Sequence, residues 1–376
     1  MIYADYSATT PVRPEVLEAM TPYYSQLFFN PSSVYPAGRQ VREALEKARA
    51  RTADCIGAEA EEIIFTSGGT ESDNMAIKGV TLHPDNKKRH IITTEIEHHG
   101  VLEPCRQLEE QGFSVTYLSV DRYGRVSETD LRKAITEDTF LVSVMWVNNE
   151  TGAVQDIKKL ARIAHQSGAV FHTDAVQAMT TQPVDVRETE VDLLTISAHK
   201  FYGPKGCGAL YCRKGIPVSA LIKGGQQENH LRGGTENVPS LIGMGHAAML
   251  LKENREKSVK QMERLKERIV TRFSGREGIL INSGPDYSAP SVCNIGFAGI
   301  EAEAVVFYMN RAGILISMGA ACNTKSVEPS YVIRAMGVPE EYLRGCVRIS
   351  LSSYMTETEA DTICDCLEAA FRRLNR

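Results

Sequence analysis

The sequence predicts an α/β protein with a large, mostly parallel sheet and a smaller α+β domain. Three observations carry that expectation. Short apolar runs alternate with amphipathic stretches from about residue 60 to 212, a long Lys- and Glu-rich helical pattern follows, and strand-like and helical segments mix beyond it. At 376 residues the chain also exceeds what one hydrophobic core usually supports, so two domains are expected. The expected division is 13–252 for the large domain, with 1–12 and 253–376 forming the small one.

The apolar runs are Glu62–Phe65, His90–Thr94, Val115–Leu118, Phe140–Trp146, Ala169–Thr173, Leu193–Ser197 and Gly208–Cys212. Between two of them, Ile157–Gln166 puts Ile157, Leu160, Ala161 and Ala164 on one helical face, and Gly168 supplies the stop. This is an α/β crossover unit. Beyond Leu241 a long helical pattern runs through Glu253–Arg272, closed by Gly275, and reads as the bridge between domains. Beyond it lie strand-like Ile279–Asn282, Ser291–Phe297, Ile314–Ser317 and Val347–Leu351, together with helical Ala302–Arg311 and Glu357–Arg373.

Composition narrows the function. With 42 basic against 47 acidic side chains the net charge is −5, which gives no general attraction to nucleic acid or an anionic membrane. A small-molecule substrate fits better. The N-terminus lacks a basic region followed by an apolar core, and no apolar run approaches the roughly 20 residues of a spanning helix, so a cytoplasmic protein is expected. Nine cysteines scattered from Cys55 to Cys366 lack the spacing of a disulfide scaffold and read mostly as reduced, buried thiols.

Three segments carry candidate chemistry. Leu193–Lys200 is an apolar strand ending in a polar tip with one lysine, at the strand end where open α/β sheets bind ligands. A desolvated amine there suits covalent attachment of a carbonyl cofactor, although a lone lysine after a strand is more often a solvated surface residue. Val170–Gln177 ends another strand on Asp174, suited to holding a cofactor ring nitrogen protonated or, equally, to capping a helix. In Phe65–Ser72 a strand passes through Gly68 and Gly69 into a helical pattern, a plausible phosphate cradle and also a common turn.

Together these segments resemble the cysteine desulfurases, class V aminotransferase-like enzymes of the fold-type I pyridoxal-phosphate group. The ordered matches span nearly the whole chain: Tyr3–Pro11, Thr66–Asn74, Glu97-His98, Val147–Glu150, Asp174–Gln177, Ser197–Pro204 and Glu328–Tyr331. The resemblance implies a pyridoxal 5'-phosphate cofactor bonded to Lys200, with His98 stacked on its ring and serving proton transfer. It implies Asp174 at the ring nitrogen, Gln177 at the phenolic oxygen, and Asn149 near that oxygen and the substrate. Gly69, Thr70, Ser197 and His199 would bind phosphate, while Thr235 would reach the phosphate of a partner subunit, making a homodimer. His99 is expected to point elsewhere, and no third ligand recurs at metal-site spacing beside these histidines.

Gly313–Asn323 is an apolar strand leading through small residues to Cys322, and such residues permit the mobility a travelling nucleophile needs. By resemblance Cys322 takes the sulfur of L-cysteine as a persulfide, and Arg348 grips the substrate carboxylate through its planar fork. The implied activity is conversion of L-cysteine to L-alanine, feeding iron–sulfur cluster or other thio-cofactor synthesis through a sulfur-acceptor protein. Alternatives are a pyridoxal-phosphate lyase acting on selenocysteine or another β-substituted amino acid, and a non-catalytic sulfur-delivery scaffold. Met318 and Ala320 stand where many members carry serines, and the chain ends at Arg376 soon after its last helix, which bears on partner docking.

Overall fold

A computed structural model describes residues 1–319 and 328–375. Among them are twelve strands: β1 Ile2–Tyr3, β2 Ile63–Thr66, β3 His90–Thr94, β4 Ser114–Leu118, β5 Thr139–Ser143, β6 Val170–Asp174, β7 Leu193–Ser197, β8 Gly208–Cys212, β9 Ile279–Ile281, β10 Val292–Phe297, β11 Ile314–Leu315 and β12 Cys346–Ser350. Seven form one sheet in the order β2-β8-β7-β6-β5-β3-β4. Its neighbours pair in parallel except at β8, which runs against both β2 and β7. The mostly parallel sheet of an α/β fold is thus present.

Alternation along the strands divides their apolar side chains between two layers. Ile63, Phe65, Ile92, Val142, Leu194 and Ile196 enter one core, whereas Ile64, Ile91, Leu141, Leu193 and Leu210 enter the core on the opposite face. Helices Gly69–Thr81 and His99–Glu110 cover the second face, and Ile157–Gln166 covers the first. Burial on both faces is why these runs lack polar alternation.

A separate core gathers β9, β10 and β12, with β10 between the other two and antiparallel to both, and helices Ala302–Arg311 and Glu357–Leu374. The chain's first residues join it, since β1 pairs with β11 and Asp5 bridges Ser350. One helix, Val238–Phe273, serves both cores: Leu241, Met244 and Leu251 enter the first, and Met262, Leu265, Ile269 and Phe273 the other.

That helix begins at Val238, a few residues ahead of Leu241, beyond which the sequence places the helical pattern. Gly243 and Gly245 stand in its first turns, although glycines weaken a helix interior. Packing explains them. A Cβ at Gly245 would lie 2.5 Å from the Ala48 backbone, and one at Gly243 would lie 2.5 Å from the Met20 sulfur. Two expected strands stop more than one residue short of their apolar runs: Phe140–Trp146 is strand only to Ser143, and Ile314–Ser317 only to Leu315. In the first, Val144–Trp146 continues past the ladder and carries Met145 to the cavity described next.

Candidate active site

Strand tips on one side of the sheet surround a cavity of about 240 Å³, against the roughly 10–15 Å³ that one water needs. Its lining includes Gly69, Thr70, His98, Asn149, Asp174, Gln177, Ser197, His199, Lys200 and Arg348. Those are ten of the twelve residues singled out from the sequence. Thr235 is exposed and stands outside this lining, and Cys322 and Ala320 lie outside the described residues.

Asp174 ends β6 with its side chain buried, one oxygen accepting the Val176 N–H at 2.9 Å. Burial raises its pKa, against the opposing pull of His98 and Lys200. Lys200 follows β7 on one helical turn, and its Nζ donates to the Ser7 carbonyl at 2.5 Å and the Ala8 carbonyl at 2.9 Å. Gln177 donates to the same Ser7 carbonyl at 3.0 Å. The N-terminal segment is therefore part of the site, though the sequence reading assigned Ser7 and Ala8 no role.

His98 caps helix His99–Glu110, its Nδ1 accepting the Gly100 N–H at 3.0 Å. That bond orients the ring and leaves Nε2 as the nitrogen able to carry a proton. Burial lowers the His98 pKa, with Asp174 opposing. His99 also lines the cavity, contrary to expectation, packing on the Tyr331 ring at 5.2 Å. Tyr331 in turn donates to the Glu97 carbonyl.

At the cradle, Gly68 adopts φ +155° and precedes helix Gly69–Thr81 without any side-chain cap, so the first-turn N–H groups have no capping acceptor. A Cβ at Gly69 would approach Val176 to 3.0 Å. Ser197 at the end of β7 and His199 on the turn after it line the same cavity, and burial beside Lys200 and Lys205 lowers the His199 pKa to about 4.

Asp73, which falls inside the Thr66–Asn74 match but is assigned no role from the sequence, is buried in the cavity wall. Burial first and the charge of Asp174 second push its pKa well up, and its Oδ1 has no hydrogen-bond partner. Asp73, His98 and Asp174 each bring one ligand atom within 4.8 Å of the others, a grouping the sequence spacing did not disclose. Beneath them, fully buried His172 bridges Ser143 at 2.8 Å and Thr195 at 3.1 Å, its pKa lowered to about 3 by burial. Two desolvated carboxylates, one with an unpartnered oxygen, favour a cationic hydrogen-bond donor. A protonated pyridine nitrogen is such a donor, and the uncapped helix start with Ser197 suits a phosphate. The residues present fit pyridoxal phosphate.

Arg348 ends the cavity's polar lining from β12. It is 2% exposed, donating to Asp5 at 2.7 Å and to the Asn149 carbonyl at 2.9 Å, while its Nε has no partner.

A family model described as aminotransferase class-V matches residues 2–363. The chain is 46% identical to a cysteine desulfurase IscS of Methanosarcina thermophila, covering 99% of this chain and 92% of that protein. Identity is 47% to a cysteine desulfurase IscS of Dictyoglomus turgidum, covering 99% and 95%. Among solved structures, a NifS-like protein superimposes with a TM-score of 0.93 at 38% identity, covering 99% of this chain and all of that one. SspA in complex with cysteine superimposes with a TM-score of 0.84 at 38% identity, covering 95% and 100%.

Proposed function

Because the chain belongs to the class-V aminotransferase family, and within it to the pyridoxal-phosphate-dependent cysteine desulfurases, we propose how its residues divide the conversion of L-cysteine to L-alanine. The carrying observation is that Lys200 and Asp174, on the tips of paired strands β7 and β6, open into one cavity with an uncapped helix start. Lys200 would hold the cofactor covalently, Asp174 its ring nitrogen, and Gly69, Thr70, Ser197 and His199 its phosphate. When bound, that group supplies an electron sink for charge developing on the substrate α-carbon.

Arg348 orients the substrate carboxylate, offering the unpartnered Nε as one donor of its fork. Asn149, held through its carbonyl by the same guanidinium, sits beside the substrate. Once the substrate amine has displaced Lys200 from its covalent attachment, the freed Nζ would take the α-proton, and His98 Nε2, its ring fixed by Gly100, would move the further protons. The Cys322 thiolate attacks the substrate sulfur: the carbon–sulfur bond breaks, a sulfur–sulfur bond forms, and the substrate carbon retains the electron pair and is protonated to alanine. Each turn thus converts cysteine and an enzyme thiol to alanine and a persulfide.

The proposal extends to a homodimer in which Thr235 serves the neighbouring site, to a cytoplasmic location, and to delivery of sulfur to an acceptor protein for iron–sulfur or other thio-cofactor synthesis. The domain division at 252/253 is likewise proposed, within the helix that both cores share. Among the described residues no helix is long and apolar enough to cross a membrane. The relatives named cysteine desulfurase support the sulfur assignment.

The test is incubation of purified protein with L-cysteine and a thiol, with alanine and sulfide quantified together. Equal yields are expected, with one added sulfur on the Cys322 peptide by mass spectrometry. Cys322→Ala should retain the cofactor's visible absorbance and lose both products. Pyruvate and ammonia in place of alanine, with Cys322→Ala unimpaired, would instead establish a β-eliminating lyase.

A further inference from the structure

β2 is an edge strand of the seven-stranded sheet, and it runs directly into the Gly68–Gly69 cradle. Ile63 and Phe65 are two residues apart, so their peptide groups face the same side of the strand. An edge leaves such groups without a strand partner. Here a salt bridge takes that place. Arg49 Nη1 donates to the Ile63 carbonyl at 2.9 Å, and Glu228 accepts the Phe65 N–H at 2.8 Å. The two side chains meet at 2.6 and 2.8 Å, with 11% and 4% of their surfaces exposed. The guanidinium also stacks 4.5 Å over the Phe65 ring.

Glu228 reaches this position through an unfavourable backbone. It and the next two residues, Asn229 and His230, all have positive φ, at 46°, 54° and 69°. Conformations of that kind persist where the surroundings over-determine them, and here a buried two-pronged pair does so. A second link runs parallel to it: Arg232 pairs with Glu71 at 3.0 Å, and Glu71 accepts the Ser67 N–H at 2.9 Å. The segment after Gln226 is therefore fastened to both the strand and the loop that form the cradle.

We propose that Arg49 and Glu228 are positioning residues for the cofactor's phosphate: the pair acts as a substitute strand that fixes β2 and so aims the cradle's N–H groups. This rests on the reading of Gly68–Thr70 as the phosphate site. Neither side chain lines the cavity, so the effect passes through the Phe65–Gly69 backbone.

The test uses the full chain, freed of cofactor and titrated separately with pyridoxal 5'-phosphate and with pyridoxal, which lacks the phosphate. Glu228→Gln is expected to weaken pyridoxal-phosphate binding by roughly tenfold, the scale on which outer partners of a binding group act, and to leave pyridoxal binding unchanged. Arg49→Lys, which keeps the charge without the fork, should show the same selective loss and covers the case in which the first variant does not fold. Equal weakening for both ligands, or unaltered binding of both, overturns the proposal. Wild-type protein that binds both ligands equally would overturn the phosphate site itself.

Discussion

Around Asp174, the buried groups Asp73, His172 and Asp174 come from one helix and one strand of a single sheet, with His172 steadied by the neighbouring strands β5 and β7. Around Arg348, the partners Asp5 and Asn149 stand 343 and 199 residues away in sequence, and they bring the N-terminal segment and both cores together. The first group is completed within one packed unit. The second exists only when the small core closes on the large one. The proposed roles divide along the same line: the Asp174 group would set electrostatics for the chemical step, whereas the Arg348 group would set how substrate is held.

The largest effect that bears on this contrast is expected from Asp174→Ala. Steady-state kinetics should show kcat falling by roughly 10²–10³-fold, the usual scale for losing a preorganised charge, with KM little altered. A change confined to KM would break the contrast.

Arg348→Lys should act the other way. Losing the fork toward a carboxylate is expected to lower kcat/KM by roughly 10²-fold, chiefly through KM for cysteine. A kcat loss matching that of the Asp174 variant would merge the two groups into one.

The smallest effect sharpens the picture on the Asp174 side, where buried Glu97 accepts Met145 N–H at 2.9 Å and Thr94 hydroxyl at 2.7 Å. Burial raises its pKa from 4.5 to about 8. Between those values the folded state holds a proton that the unfolded state has released, so stability present below pH 4.5 is lost as pH rises through 8. Glu97→Gln should flatten that decline, by at most about 1.4 kcal/mol per pH unit, in urea unfolding from pH 5 to 8. An unchanged slope would show that Glu97 is ionised in the fold.

Much of the Asp174 side was legible because it is local. A strand's apolar run and its polar tip are contiguous, so Asp174 and Lys200 stood out, and β3, β7 and β8 match their runs residue for residue. Asp73 did not stand out, since a polar residue in a helical pattern reads as solvent-facing until the neighbouring helix covers it. His99 was misjudged because sequence adjacency to His98 says nothing about where Tyr331 packs.

What the sequence by itself determined was the kind of fold and the chemical groups available: apolar runs buried on both faces require a covered sheet, and strand tips mark where ligands bind. Tertiary structure alone decided the pairings. Arg49 finds Glu228 across 179 residues, and Arg348 finds Asp5 across 343. Chain proximity contributes nothing to such contacts. They depend on which strand becomes the sheet's edge and on how two cores meet along one shared helix, and those are properties of the packed whole.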